Sequence, residues 1–143
     1  MRQRDNLLLA IDLGNSSATF GLFDGKTLVA NGYVKSDNFP FFGDLIKKSG
    51  VYKPVGKVII SSVSPKKAQK IQNSILKRLG VKSIYVVGKH VKPKVSMRYN
   101  KKQLGSDRLV NIYGACQFYK LPLLIVDFGT AITFDYVSKK GVF

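Results

Sequence analysis

Two segments of the chain share one pattern of hydrophobic and polar positions. Apolar residues at 123–126 lead into Asp127, a Gly-Thr turn and a second apolar, β-branched run at 132–134. Residues 7–11 lead in the same way into Asp12, a Gly-Asn turn and another such run. Each segment predicts a buried strand, a tight turn that presents small polar groups, and a returning strand.

The residues between these segments predict alternating strands and helices. Asp24-Gly25 between two apolar runs is a strong hairpin signal, so two more antiparallel strands are expected after the first. The following elements are then a helix at 38–49, a strand at 55–63, a helix from the Ser64-Pro65 cap to Gly80, a strand at 83–87, a helix from 105, and strands at 123–127 and 132–137. This order predicts an α/β protein.

The chemistry of the repeated segment fits phosphate binding. Asp12, Gly14 and Asn15 align with Asp127, Gly129 and Thr130. The glycine lets the backbone come close to an anion, amides and the Asn or Thr side chain can donate to phosphate oxygens, and the aspartate can hold a cation. An ordinary turn explains one copy equally well, but two matched copies weaken that alternative.

The duplicated hairpin resembles those with which two-lobed phosphotransferases of the actin and sugar-kinase type hold a nucleotide phosphate tail. The resemblance implies a ribonuclease H-like lobe over residues 1–120, with three antiparallel strands, then alternating helices and strands, and a basic substrate loop at 88–104. It also implies that residues 121–143 form the first hairpin of a second, incomplete lobe. Two strands without further cover leave open edges, so we expect another chain or further sequence to complete it.

The charge balance is strongly positive. The chain has 24 Lys and Arg against 8 acidic residues, a net charge of +16. All the acids are aspartates, so any carboxylate chemistry comes from Asp5, Asp12, Asp24, Asp37, Asp44, Asp107, Asp127 and Asp135. An anionic ligand, an acidic partner chain and nucleic acid all remain open.

The chain has one cysteine and one histidine, and these counts exclude two kinds of site. With only Cys116 and His90, a disulfide within the chain and a Cys/His zinc site are both excluded. The apolar run at 7–11 is too short for a signal peptide or a membrane span. We expect a cytoplasmic protein with no membrane partner.

Four motifs in order resemble the first half of a type III pantothenate kinase. They are Asp12-Leu13-Gly14-Asn15-Ser16, Ser61-Ser62-Val63-Ser64-Pro65, Gly105-Ser106-Asp107-Arg108 with Asn111 and Gly114-Ala115, and Asp127-Phe128-Gly129-Thr130-Ala131. The resemblance implies ATP-dependent phosphorylation of pantothenate, the first step towards coenzyme A. It also implies Mg²⁺ and a monovalent cation, K⁺ or NH₄⁺.

The same resemblance implies the site residues. Asp107 would accept the hydroxyl proton, Asp127 would bind the monovalent cation and Asp12 would lie near Mg²⁺. ATP would contact Asp12, Leu13, Gly14, Asn15, Ser16, Ser17, Ala18, Thr19 and Thr130. Pantothenate would contact Tyr99, Gly105, Ser106, Asp107 and Arg108. From its position alone, Asp107 in the first turn of a helix could also be a capping residue.

Three functional hypotheses follow. The leading one is half of a pantothenate kinase, completed by an acidic second chain and assembled into a higher oligomer. A regulatory or nucleic-acid-binding protein that kept the fold without catalysis is the alternative, favoured by the basic residues around Tyr99 but opposed by the scatter of the lysines. The motif at 105–108 disfavours a third possibility, a different actin-like kinase or phosphatase.

Overall fold

A computed structural model describes residues 6–35, 44, 50–92, 94–98, 100, 104–129 and 131–143. The helix expected at 38–49 falls outside these residues except for Asp44, as do the predicted site residues Tyr99 and Thr130. No helix among the described residues is long and apolar enough to cross a membrane.

A five-stranded sheet forms the larger part of the structure. Its strands are β1 (Leu7–Leu13), β2 (Ser17–Asp24), β3 (Thr27–Lys35), β4 (Val55–Ser62) and β5 (Ser83–Val86), in the order β3-β2-β1-β4-β5. β1, β2 and β3 pair antiparallel, and the β2–β3 turn contains Gly25 at φ 60°. β4 pairs parallel with both β1 and β5.

Helix α1 (Pro65–Leu79) joins β4 to β5 and covers one face of this sheet. Ser64 caps it by accepting a hydrogen bond from the Lys67 backbone N–H at 3.4 Å, and Gly80 ends it at φ 67°. Its buried side chains, Ala68, Ile71 and Ile75, pack into the apolar core of the sheet. Burial of this stripe, more than helix propensity, stabilises the helix.

A second core surrounds α2 (Ser106–Phe118) and a two-stranded sheet of β6 (Leu123–Phe128) and β7 (Ile132–Val137). Ile112 of α2 and Val137 of β7 are both fully buried there. α2 also contacts β4, so this helix links the two sheets. The expected α/β class and the predicted order of the described elements are confirmed.

One face of the β6–β7 hairpin is apolar and exposed. Three cross-strand pairs form it: Leu124 with Tyr136, Val126 with Phe134, and Phe128 with Ile132. The opposite face packs against α2. An uncovered apolar face of this kind marks a surface that another element normally covers.

Candidate active site

The candidate active site lies where β1 and β4 end side by side. The register places Asp12 next to Ser61 on β4 and opposite Thr19 on β2. These residues line a cleft of about 470 Å³ together with Asp107 and Asn111 of α2 and apolar residues of the sheet. The cleft extends from this end of β1 and β4 along the face of the sheet, as far as Phe23 on β2 and Leu28 on β3.

Asp12 is an acid held in an unfavourable electrostatic environment. The Asp12 side chain is accessible to solvent, but partial desolvation in the cleft raises its pKa, and the negative charges of Asp107 and Asp127 raise the pKa further. A hydrogen bond from the Ser61 side chain acts in the opposite direction. Asp107 on α2 and Asp127 on β6 are thus near enough to Asp12 on β1 to act on its charge, and a cation or a proton would relieve this repulsion.

Asp107 lies in the first turn of α2 but does not cap it. The N-cap residue is Gly105, and no side chain makes a capping hydrogen bond there. The Oδ1 atom of Asp107 is buried and has no hydrogen-bond partner. A buried carboxylate oxygen without a partner is costly, so the protein's own donors do not hold this carboxylate, and Asp107 lines the cleft beside α2.

Gly105 leaves room for that carboxylate. A Cβ atom at position 105 would lie 2.3 Å from Asp107 Oδ1, well inside van der Waals contact. The φ of Gly105 is −59°, which any residue adopts, so a larger residue here would displace the Asp107 carboxylate without straining the backbone. This gives the Gly-x-Asp spacing a direct physical reason.

The two residues beside Asp107 are both engaged with other elements. Ser106 Oγ donates to the carbonyl oxygen of Ser62 at 2.7 Å and accepts from the Ser62 backbone N–H at 3.0 Å. Arg108 Nε donates to both carboxylate oxygens of Asp135 on β7, at 3.2 and 3.3 Å. Of the predicted substrate residues, Ser106 and Arg108 thus make intramolecular polar contacts.

Asp127 lies near the end of β6, directly opposite Thr133 of β7. Residues paired in this way point to the same face of a sheet, with Cβ atoms about 5 Å apart. The Thr133 hydroxyl is buried and has no hydrogen-bond partner. Sequence reasoning missed Thr133, because only the strand register shows that it faces the same side as Asp127.

The turn between β1 and β2 is closed by a hydrogen bond from the Gly14 N–H to the Ser17 carbonyl oxygen at 2.9 Å. Asn15 and Ser16 are exposed at its tip, whereas the Leu13 and Ala18 side chains lie in the core and leave only backbone groups for a ligand. Neither Gly14 nor Gly129 has a positive φ. These glycines therefore provide space for a close approach and no special conformation.

Lys67 is a second residue that sequence reasoning missed. Its Nζ donates to the Asn15 carbonyl oxygen, which places an ammonium group at the turn. The position of Lys67 in the helical pattern of α1 by itself predicts a solvated lysine on the outer face. The signal lay in the chain order, because a helix that starts after a strand parallel to β1 begins beside the turn that follows β1.

The side chains of the candidate site can be compared with the ligands that metal cations bind in proteins. Among the described residues, no group of three His, Cys, Asp or Glu side chains is arranged to bind a metal. Mg²⁺ commonly uses only one or two carboxylates together with substrate phosphates, and the crowded Asp12 carboxylate fits that role. Asp127 beside the unpaired Thr133 hydroxyl offers oxygen atoms that fit a monovalent cation.

Comparison with known proteins decides the family. The sequence model described as type III pantothenate kinase matches residues 8–143. The chain belongs to the type III pantothenate kinase family. It is similar to the type III pantothenate kinases of Syntrophotalea carbinolica (37% identical) and Citrifermentans bemidjiense (40% identical), in each case over 94% of this chain and 56% of the relative. The chain thus spans about half the length of the curated relatives it matches.

A solved structure extends the comparison to the fold. The protein titled "Reductive activator for corrinoid,iron-sulfur protein" aligns with 98% of this chain and 30% of its own, with a TM-score of 0.60 and 12% identity. At this identity the likeness concerns the fold alone. The α/β class expected for this member of the pantothenate kinase family, with three antiparallel strands followed by alternating helices and strands, is confirmed.

Proposed function

We propose that the complete enzyme transfers the γ-phosphoryl group of ATP to the hydroxyl of pantothenate and forms 4′-phosphopantothenate. By the complete enzyme we mean this chain together with the segment that corresponds to the remaining part of its relatives, in the same polypeptide or in a second one. The observation that carries the proposal is the carboxylate of Asp107, which makes no capping hydrogen bond and lines the same cleft as Asp12. A substrate hydroxyl that donates to this carboxylate is in the geometry that a general base requires.

The phosphate end of ATP would lie at the turn between β1 and β2. The exposed Asn15 and Ser16, the backbone around Gly14, and the ammonium group of Lys67 are the groups that would contact phosphate oxygens. Leu13 and Ala18 would contribute backbone atoms alone, because their side chains are buried. Phosphoryl transfer depends mainly on such positioning and charge neutralisation.

Two cation positions belong to the proposal. Mg²⁺ bound with ATP would offset phosphate charge, and Asp12 would hold it. Asp127, with the Thr133 hydroxyl as a further oxygen, would hold K⁺ or NH₄⁺. The contacts of Thr130 with ATP and of Tyr99 with pantothenate remain proposals that rest on the family resemblance.

The substrate end would lie at the start of α2. Ser106 would contribute its backbone, because its hydroxyl is engaged with Ser62. Arg108 would face the carboxylate of pantothenate with a guanidinium whose orientation is already set by Asp135. A planar donor fork of fixed direction suits a carboxylate ligand.

The segment that corresponds to the remaining part of the relatives would cover the apolar outer face of the β6–β7 hairpin. The exposed pairs from Leu124–Tyr136 to Phe128–Ile132 support this, and the net charge of +16 supports an acidic partner if that segment comes from a second chain. The higher oligomer and the cytoplasmic location expected from the sequence are proposals of the same kind.

The test is product formation by the purified complete enzyme with ATP and pantothenate, followed by mass spectrometry of 4′-phosphopantothenate. We expect ATP-dependent product and only weak binding to DNA or RNA that disappears by about 200 mM salt, as for non-specific phosphate contacts. A complete enzyme without product, together with sequence-dependent nucleic-acid binding at that salt, would favour the regulatory alternative.

A further inference from the structure

Asp135 is the most deeply buried charged residue in the part of the chain that the structure describes, at 1% exposure. Its carboxylate accepts hydrogen bonds from Arg108 Nε, and Arg108 Nη2 makes a further bond to Oδ1. Phe143 adds to the environment of Arg108, with its ring centroid 5.9 Å from the guanidinium carbon. Burying the Asp135 carboxylate costs desolvation free energy, which the ion pair with Arg108 offsets.

The position of the Arg108–Asp135 pair along the chain indicates its structural role. Arg108 directly follows Asp107, and Asp135 lies on the same face of β7 as Thr133, which is opposite Asp127. The ion pair therefore joins the helix turn that carries the proposed base to the hairpin that carries the proposed cation ligand. On the other side of Asp107, the Ser106 hydroxyl joins the same turn to Ser62 at the end of β4.

Asp107 depends on these neighbours for its position. Its Oδ1 has no hydrogen-bond partner, and the N-cap of α2 makes no side-chain bond. The Leu109 N–H closes the first turn by donating to the Gly105 carbonyl oxygen at 3.1 Å, and the side-chain contacts on either side tie this turn to the two sheets. An error of about 1 Å in the position of a catalytic group can cost about 100-fold in rate.

We propose that Asp135 is a positioning residue: through Arg108 it holds the first turn of α2 so that Asp107 meets the substrate hydroxyl. The inference rests on the proposed function, because it presumes that Asp107 acts as the base. Asp135 does not touch the substrate in this scheme. It fixes the direction of Arg108 and the distance between the hairpin and the turn.

The experiment is a double-mutant cycle in the complete enzyme. Asp135→Asn keeps the shape of the side chain and removes the ion pair, and we expect kcat to fall about 10- to 100-fold while the KM for ATP changes less than about twofold. Asp135→Glu restores a carboxylate and should recover part of kcat. Asp24→Asn is the matched control, since it removes the exposed ion pair with Lys53 and should leave kcat unchanged.

The cycle with Asp107→Asn separates positioning from general stabilisation. If Asp135 acts through Asp107, the double variant should be within about twofold of Asp107→Asn alone, because groups that act as a unit are not additive. If the reductions in kcat caused by Asp135→Asn and Asp107→Asn multiply in the double variant, Asp135 does not act through Asp107, and the proposed function is unaffected. If Asp107→Asn alone keeps near-normal turnover, both the base and the positioning role are wrong.

Arg108→Lys provides the same test should Asp135→Asn fail to fold. An ammonium group keeps the charge but cannot make the bidentate contact with Asp135. We expect a lower kcat that is again absent from the background of Asp107→Asn. Because Arg108 is also proposed to face the pantothenate carboxylate, kcat is compared at saturating pantothenate, and a raised KM for pantothenate reports that separate contact. A normal kcat for Arg108→Lys, or a loss of kcat that multiplies with Asp107→Asn, would overturn the inference.

Discussion

The negative charge of Asp107 raises the pKa of Asp12 across the cleft between α2 and the large sheet. Burial of Asp12 acts in the same direction and is the larger cause. Two acids brought together in this way oppose folding, since the charged form of Asp12 is less favourable in the folded protein than in the unfolded chain. Such an arrangement is typical of a site built to bind a cation.

Asp12→Asn should therefore stabilise the fold while it removes activity. A raised pKa means that the favourable contribution of Asp12 is present below its ordinary pKa of 3.8 and is lost as the pH rises through the raised value. We expect a higher thermal unfolding midpoint than wild type at pH 7, and no difference below the ordinary pKa. Turnover should fall by about 100-fold, as for the loss of a group that holds a metal.

The pH dependence is the specific part of this prediction. Asp24→Asn is the control, because Asp24 lies in an exposed ion pair with Lys53 and does not line the cleft. A midpoint for Asp12→Asn that is lower than wild type at pH 7 would show that Asp12 stabilises the fold in its charged form.

Gly105→Ala should keep the fold and impair catalysis. The new Cβ would lie 2.3 Å from Asp107 Oδ1, so the carboxylate must move, whereas the backbone at φ −59° accepts alanine. We expect turnover to fall by about 100-fold, measured by product formation.

Gly114→Ala in the same helix provides the matched control. A Cβ there meets nothing within 4 Å, and alanine in a helix interior stabilises by about 0.5–1 kcal/mol relative to glycine. Equal effects of the two substitutions on turnover would mean that the space beside Asp107 has no catalytic role.

Much of the fold could be predicted from local signals. Ser64, Pro65 and Gly80 mark the ends of α1, and the helix is observed as Pro65–Leu79. Asp24-Gly25 correctly predicts the β2–β3 hairpin. These signals succeed because capping and turn chemistry depend on residues that are close together in the chain.

The contacts that define the candidate site could not be predicted in the same way. Arg108 and Asp135 are 27 residues apart, and Lys67 is 52 residues from Asn15. Their contacts depend on strand order and on the direction of each side chain, which a single sequence does not specify. Asp107 is an example, because its position in the first turn of a helix is equally consistent with a capping residue and with a catalytic base. Only the structure shows that its carboxylate makes no capping hydrogen bond and that its Oδ1 is buried without a partner.

Lys67→Met should weaken ATP binding. Its ammonium group lies at the β1–β2 turn, where a phosphate would gain a charge-assisted hydrogen bond, so we expect the KM for ATP to rise about tenfold. Steady-state kinetics with varied ATP measures this. Lys70→Met, an exposed lysine on the same helix, should leave the KM unchanged; if both variants behave alike, Lys67 is a surface lysine.

Activity should depend on a monovalent cation through Asp127. We expect the complete enzyme to be active in potassium or ammonium and about tenfold or more slower in sodium, because the oxygen ligands at Asp127 must match the size of the ion. Asp127→Ala should remove both this dependence and most of the activity. Equal rates in sodium and potassium would contradict the assignment of Asp127.

The most direct test of the proposed mechanism is the rate of 4′-phosphopantothenate formation by Asp107→Asn in the complete enzyme, measured together with ATP binding by calorimetry. Asparagine keeps the size of the side chain but cannot take up the hydroxyl proton. We expect turnover to fall by about 10²- to 10⁴-fold with ATP affinity unchanged. Near-normal turnover by a folded Asp107→Asn enzyme would contradict the role of Asp107 as the general base.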